Sequence, residues 1–295
     1  MKLEKIITLA SASVRLRLLA MVRSLRAVGC RLPVWVIPYS DDTEDEFPLP
    51  EGCEWRHVPE VSDWVKRLGA HPMTRKYSCL LTGNYQYADT DIIFLRNPEE
   101  VLAPTEGFVS SCGHWRDPAH TLTSQSRPVF QRYSTNWQKE VFNSGQFACD
   151  RPLFADFAAL HRAAHAPENR ETCLYPISDQ PGFNLLRLIS GVPISNVTLP
   201  PVNMESTWAG DYHGGDYERF WRDDTRRPYL IHWAGVSMAS PRPIHELFYR
   251  HLTPAERDEW HMQVRARAAA PQGLRPRLQR AKRRALRAWD SLMDG

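Results

Sequence analysis

Two carboxylates one residue apart, Asp89 and Asp91, stand in YADTDIIFLRNP just ahead of an apolar run. On an extended chain the side-chain period is two, so the pair projects to one side, about 6 to 7 Å apart. Like charges that close repel, and a divalent cation offsets the repulsion because hard cations take oxygen ligands. A D-x-D triplet also fits a solvated loop in which Asp89 caps a turn. What separates the two readings is whether the flanking chain makes a strand whose end opens into a cleft.

The first hundred residues alternate strand and helix patterns. EKIITLAS reads as a β-branched strand, and Val14 to Val28 carries Leu18, Leu19, Val22, Leu25 and Val28 at helical spacing before Gly29 stops it. LPVWVIPYS is a second strand. After the acidic, proline-rich turn DDTEDEFPLPEG, EWRHVPEV reads as a third. A helix is predicted from about Thr74 to Leu81, ending at Gly83, and then comes the strand carrying Asp89. Such alternation predicts an α/β fold whose mostly parallel sheet binds ligands at the C-terminal ends of its strands. Beyond Pro104 the periods are less clean, and 23 prolines and 10 tryptophans in the chain point to a loop-rich, aromatic-lined addition to the same sheet. No internal repeat and no linker divides the chain into two cores.

With 295 residues, 42% hydrophobic and 24% charged, the composition is that of a soluble globular protein. A formal net charge of +3 is too small to imply a nucleic-acid partner. Cys30, Cys53, Cys79, Cys112, Cys149 and Cys173 form no C-x-x-C pair, which predicts reduced, mostly buried thiols and a cytoplasmic setting. The N-terminal MKLEKIITLASAS is a poor signal peptide: Glu4 interrupts its basic part, the apolar stretch is short, and Arg15 and Arg17 follow at once. No segment approaches the ~18 apolar residues of a membrane span. From Arg265 to Arg287 there are nine Lys or Arg and no acid, with Leu274, Leu278, Ala281, Ala285, Trp289 and Leu292 on one helical face. This suits a helix lying on an anionic membrane surface, or equally a solvated helix or tail. The expected division is one main α/β domain over 1–260 and a basic amphipathic tail over 261–295.

Four further stretches accompany the carboxylate pair: RKYSCLL (Arg75 to Leu81), FNSGQFACD (Phe142 to Asp150), SDQPGFNLL (Ser178 to Leu186) and LIHWAG (Leu230 to Gly235). In this order they resemble the nucleotide-sugar glycosyltransferases of the GT-A fold, most nearly the retaining family 8 type. There a basic residue precedes a helix and is followed by D-x-D, F-N-[AS]-G, D-Q and H-x-x-G. The resemblance spans about Arg75 to Gly235.

It implies a GT-A fold and a hexosyltransferase that moves a sugar from a nucleotide-sugar donor to a glycan, lipid-linked or other saccharide acceptor, with retention. It further implies Mn²⁺ or Mg²⁺ held by Asp89, Asp91 and His232, with Asp89 also near the ribose; imidazole suits Mn²⁺ better than Mg²⁺. Breaking a glycosyl bond to a nucleoside diphosphate builds negative charge on the leaving phosphate, and a divalent ion acts there as a Lewis acid. By the same resemblance Asn143, Ser144 and Gly145 meet the donor sugar, Asp179 accepts a sugar hydroxyl, and Gln180 sits by the anomeric carbon. An amide is a poor nucleophile, so front-face attack by the acceptor is the expected route to retention. Arg75 or Lys76 contacts the diphosphate or donor sugar, Thr8 and Ala10 at the end of the first strand receive the base, and Gly235 completes the donor site. Where the family continues with Lys-Pro-Trp, this chain reads VSMASPRP, and Arg242 stands in for the lysine.

Each residue also has an ordinary reading. N-S-G makes turns, Ser178 or Asp179 caps helices, and His232 fits a core. Trp115, Trp137, Trp208, Trp221 and Trp233 suit either sugar stacking or packing. The partners expected are the donor, a saccharide or glycolipid acceptor and an anionic inner membrane face, with no nucleic acid. Two alternatives stand beside this reading: a catalytically silent sugar-nucleotide-binding subunit, and a sugar nucleotidyltransferase, which would need a Gly-rich phosphate loop that the first strand lacks.

Overall fold

A computed structural model describes residues 1–41, 45–113 and 126–269. The β-branched run KIITLA forms the central strand β1 (Lys5–Ala10), buried along its whole length. Its side chains alternate between two cores. Ile6 and Ala10 pack with Val34, Val36 and Leu18, whereas Ile7 and Leu9 pack with Tyr85, Tyr87, Phe147 and Phe183. Burial on both faces is what a strand inside a parallel sheet requires.

The other strands are β2 (Val34–Pro38), β3 (Cys53–Trp55), β4 (Tyr85–Ala88), β5 (Ile92–Phe94), β6 (Phe108–Ser110), β7 (Gln146–Cys149), β8 (Ile194–Asn196) and β9 (Leu230–His232). Seven of them form a sheet in the order β3-β2-β1-β4-β7-β6-β8, in which β7 alone runs against its neighbours. The remaining two, β5 and β9, pair antiparallel as a separate small sheet. A third core supports that pair: Ile93, Ile231 and Trp233 pack with Tyr212, Phe248 and Trp260. The mostly parallel α/β architecture expected from the alternating patterns is therefore the one observed.

The first helix, Arg15–Ala27, matches its prediction to within a residue at either end. The expected third strand is cut short at Trp55, and Pro59–Leu68 is a helix. Pro59 at its first turn loses no hydrogen bond there, Val61, Trp64 and Val65 make one apolar stripe, and Gly69 at φ +58° closes it in the left-handed region. The helix predicted from Thr74 to Leu81 is a 3-10 helix over Pro72–Leu81, longer than such runs usually are. The carboxylate pair lies on no strand but in the turn between β4 and β5.

None of the six cysteines forms a disulfide among the described residues; five are buried and Cys53 is half-buried. The helix Pro254–Ala269 crosses the expected boundary at 260/261 and docks on the first helix through Arg15–Glu259 (2.7 Å) and Arg23–Glu256 (2.5 Å). The rest of the basic segment, and Trp115, lie outside the described residues. No helix among the described residues is long and apolar enough to cross a membrane.

Candidate active site

Parallel strands deliver their C-terminal ends to one edge of a sheet. At that edge β1 leads to Ser11, β4 to Asp89 and β6 to Ser111, while the antiparallel β7 brings Asn143, Ser144 and Gly145 to the same place. The backbone N–H of Asp89 donates to the Gly145 carbonyl at 2.8 Å, which prolongs the β4–β7 ladder by one residue. Three residues later the chain is in the small sheet. Ile92 stands opposite His232, and the Asp91 carbonyl accepts the Trp233 N–H at 3.0 Å. One sheet thus fixes Asp89, the other fixes Asp91 and His232, and the Thr90 turn joins them.

Ligand atoms of Asp89, Asp91 and His232 lie within 4.8 Å of one another. His232 Nε2 is 3.2 Å from Asp91 Oδ1 and 3.9 Å from Asp89 Oδ2. Two carboxylates and one imidazole at this spacing suit Mn²⁺ or Mg²⁺ and leave coordination positions for a ligand's oxygens. Gly145 leaves the space they need. A Cβ there would come within 2.5 Å of Asp89 Oδ2 and 2.8 Å of Asn143 Oδ1, and closer still to the His232 ring. Burial raises the Asp89 carboxyl, opposed by Lys76 and reinforced by the charge of Asp91. At Asp91 burial acts the same way, but His232 and Arg17 outweigh it and hold the carboxyl below its usual value.

Lys76 is buried behind this cluster. Its Nζ donates to the Ser144 carbonyl at 2.8 Å and pairs with Asp179 at 3.1 Å and Asp89 at 3.6 Å. Burial alone would lower its pKa; the two carboxylates outweigh burial and raise it. Ser144 Oγ donates to Asp179 at 2.9 Å, and its N–H donates to Gln180 Oε1 at 3.2 Å. Asn184, one turn along from Gln180, accepts the Phe142 N–H and donates to the Phe142 and Gln180 carbonyls, each at 2.9 Å. These bonds stitch the F-N-S-G loop to the start of the helix Gln180–Ile189. Ser178 Oγ accepts the Gln180 N–H at 3.2 Å, so the helix cap and the candidate site share residues.

The remaining candidates are more spread out. Arg75 takes a different direction from Lys76, donating to Asp41 at 2.7 Å and Ser62 at 2.8 Å. Thr8 is buried at the end of β1 with its hydroxyl unpartnered among the described residues, and the Ala10 carbonyl accepts the Tyr39 N–H at 2.9 Å. Gly235 adopts φ +67°, which favours glycine. Arg242 is half-buried beside His213 and lines a different cleft, of about 600 Å³. Sequence reasoning missed Asn184, Tyr87, whose hydroxyl donates to Asp89 at 2.7 Å, and Arg17, which reaches Asp91 from the first helix. Helical spacing from Gln180 could have flagged Asn184; nothing in the sequence links Arg17 to Asp91.

A cleft of about 450 Å³ opens beside His232 and Asn143. Trp208, Tyr212 and Phe220 line it, with Glu205 and Arg226 paired at 2.6 Å. Of the tryptophans considered for stacking, Trp137, Trp221 and Trp233 are buried in the cores and Trp208 lines this cleft.

No protein-family model matches the sequence, and no curated protein does. Solved structures do match in fold. The galactosyltransferase LgtC, in complex with donor and acceptor sugar analogues, aligns over 88% of this chain and 99% of its own, with a TM-score of 0.54 and 15% identity. The bifunctional glycosyltransferase WbbM aligns over 90% of this chain with a TM-score of 0.53 and 12% identity, and GlyE of Streptococcus pneumoniae TIGR4 over 89% with 0.51 and 11%. This chain spans about half of WbbM (52%) and 64% of GlyE. At these identities the likeness is one of fold: the chain has the mixed α/β, GT-A-like fold that these glycosyltransferases share.

Proposed function

We infer that this chain is a metal-dependent glycosyltransferase that moves a hexose from a nucleotide-sugar donor to a saccharide or glycolipid acceptor with retention, as in family 8. The observation that carries this reading is the convergence of Asp89, Asp91 and His232 with the Asn143–Gly145 loop, Asp179 and Gln180 at the strand ends. Asp89, Asp91 and His232 would hold Mn²⁺ or Mg²⁺, which supplies Lewis acidity to the departing phosphate.

The chain's own groups do the rest. Lys76, fixed between Asp179 and Asp89, offers a preorganised positive charge to the donor. Asp179 orients a sugar hydroxyl, and the Gln180 carbonyl faces the anomeric carbon, where positive charge develops. The cleft lined by Trp208 and Phe220 receives the acceptor, whose hydroxyl attacks from the leaving-group side. Thr8, Ala10 and Arg75 belong to the nucleotide side of the site.

The deciding experiment is a thermal-shift screen of UDP-, GDP- and ADP-sugars with and without Mn²⁺, since a ligand that binds only the folded state raises Tm. A shift with one donor that requires the metal is the expected result; no shift with any of them would favour a silent subunit. The basic segment from Arg265 is assigned to an anionic membrane surface. Deleting residues 270–295 should abolish sedimentation with phosphatidylserine vesicles, and unchanged sedimentation would refute that assignment.

A further inference from the structure

The helix Arg15–Ala27 carries four arginines, and three of them are hydrogen-bonded within the fold. Arg15 and Arg23 each grip a glutamate of the helix Pro254–Ala269 with short, paired hydrogen bonds. Arg26 donates to the carbonyls of Cys30 and Leu32. Arg17 differs. Its guanidinium lies 5.6 Å from the Trp260 ring centroid, its buried Nε has no partner among the described residues, and its Nη1 stands 3.8 Å from Asp91 Oδ2. That distance is too long for a hydrogen bond. The side chain remains 30% exposed, at the edge of the Asp89–Asp91–His232 cluster.

We propose that Arg17 is the cationic contact for the donor's diphosphate, supplied from the first helix; this rests on the reading of the site given above. The charges at the site favour it. Asp89, Asp91 and Asp179 face Lys76 and Arg17, which leaves one net negative charge before a divalent ion is bound and one net positive charge afterwards. With Asp91 engaged as a ligand of a divalent ion, the Arg17 guanidinium fork, 3.8 Å from that carboxylate and not hydrogen-bonded to it, would be available to meet phosphate oxygens in bidentate fashion. Arg242, the sequence-level choice for a phosphate cation, is placed beside His213 instead.

Arg17 stands beside a metal site, so its charge repels the cation while it attracts the anion. That opposition separates diphosphate binding from a merely structural role. The test uses the full chain, Mn²⁺ alone measured by the electron paramagnetic resonance of the free ion, and inorganic pyrophosphate titrated calorimetrically at saturating Mn²⁺. In Arg17→Gln the pyrophosphate Kd should rise about 10- to 100-fold, the loss expected for a charge-assisted contact. Mn²⁺ alone should bind as tightly as in wild type, or more tightly. Arg17→Lys, which keeps the charge and guards against a folding defect, should recover part of the pyrophosphate affinity. Unchanged pyrophosphate binding in a folded Arg17→Gln protein would overturn the proposal. So would parallel weakening of Mn²⁺ and pyrophosphate, which would make Arg17 a positioning residue for Asp91. A wild-type protein that binds no pyrophosphate with Mn²⁺ would remove the diphosphate reading itself, and this proposal with it.

Discussion

Replacing Gly145 by alanine tests the proposed metal centre with one carbon atom. The added Cβ would stand 2.5 Å from Asp89 Oδ2 and 2.8 Å from Asn143 Oδ1 and would press on the His232 ring. Ordinary contacts lie near 3.5–4.0 Å, so at least one of these groups must move by about 1 Å. None moves freely. Asp89 is held by the Gly145 carbonyl and Tyr87, Asn143 by the Gly145 N–H, and His232 by its place in β9. Overpacking of this kind costs about 1–3 kcal/mol, a fall in Tm of roughly 2–10 °C for a chain of this size. The metal centre should suffer more, because ligand distances tolerate only about ±0.2 Å. Mn²⁺ affinity should drop about 10- to 100-fold, the loss typical when a site's supports are disturbed. The assay is the free-Mn²⁺ resonance signal during titration, with Gly215→Ala as control, since a Cβ there meets only Pro243 at 3.8 Å. A folded Gly145→Ala protein that binds Mn²⁺ as wild type does would refute the assignment of Asp89 and His232 as co-ligands.

Three further outcomes follow from the same geometry. Lys76→Met should cost about 3–5 kcal/mol, because it strands the Asp179 carboxylate in a buried setting, and urea melts that superimpose on wild type would refute the pairing. Phe220→Ala, at a cleft residue 45% exposed, should raise the acceptor KM about tenfold while the donor Kd stays put, given that tenfold is ~1.4 kcal/mol of lost contact; a change in donor Kd instead would place the acceptor elsewhere. Burial, helped by Arg242 at His245 and by Arg250 and Arg23 at His251, pushes both imidazoles down to about 4. Their contribution is complete above the unfolded value near 6.5 and is lost as the pH falls towards about 4, because the unfolded chain takes up protons the folded one refuses. Tm should therefore decline already between pH 6.5 and 5, before most carboxylates titrate, and less so in His251→Gln; identical declines in the two proteins would refute it.

What was legible in the sequence was local. The β-branched run of β1 and the apolar stripe of the first helix declare themselves because burial there follows simple periods. The helix Pro59–Leu68 was overlooked because Val58 and Val61 read as strand, although Pro59 and Gly69 bracket a helix. Within the site, F-N-S-G and D-Q could be named separately, but Asn184, which ties them together, carries no signal beyond its spacing. The choice between Arg75 and Lys76 is invisible in sequence. It depends on which of two adjacent side chains the 3-10 helix directs at Asp179 and which at Asp41. Arg17 is least legible of all, since its relation to Asp91 exists only after the first helix packs beside β5.

The carboxylate pair shows how a correct expectation can rest on the wrong cause. Period-two alternation on one strand would place Asp89 and Asp91 on the same side, and they do converge, yet they lie in a turn and are anchored by backbone bonds to two different sheets. Asp89 ends the β4–β7 ladder, Asp91 begins the β5–β9 pair, and a single residue, Thr90, spans the change. One intervening residue is then a mechanical requirement as well as a chemical one. A longer turn would let the small sheet, with His232, drift from the main sheet, and a shorter one would leave no room to change direction. The separation of the ligands is set by how the cores of the two sheets pack, with Leu18 of the first helix in one and Leu16 and Ala20 in the other. The helix that carries Arg17 therefore lies across the seam between the two sheets, and substitutions at Leu16 or Ala20, which pack in the core of the small sheet, should weaken the proposed Mn²⁺ binding by shifting Asp91 relative to Asp89.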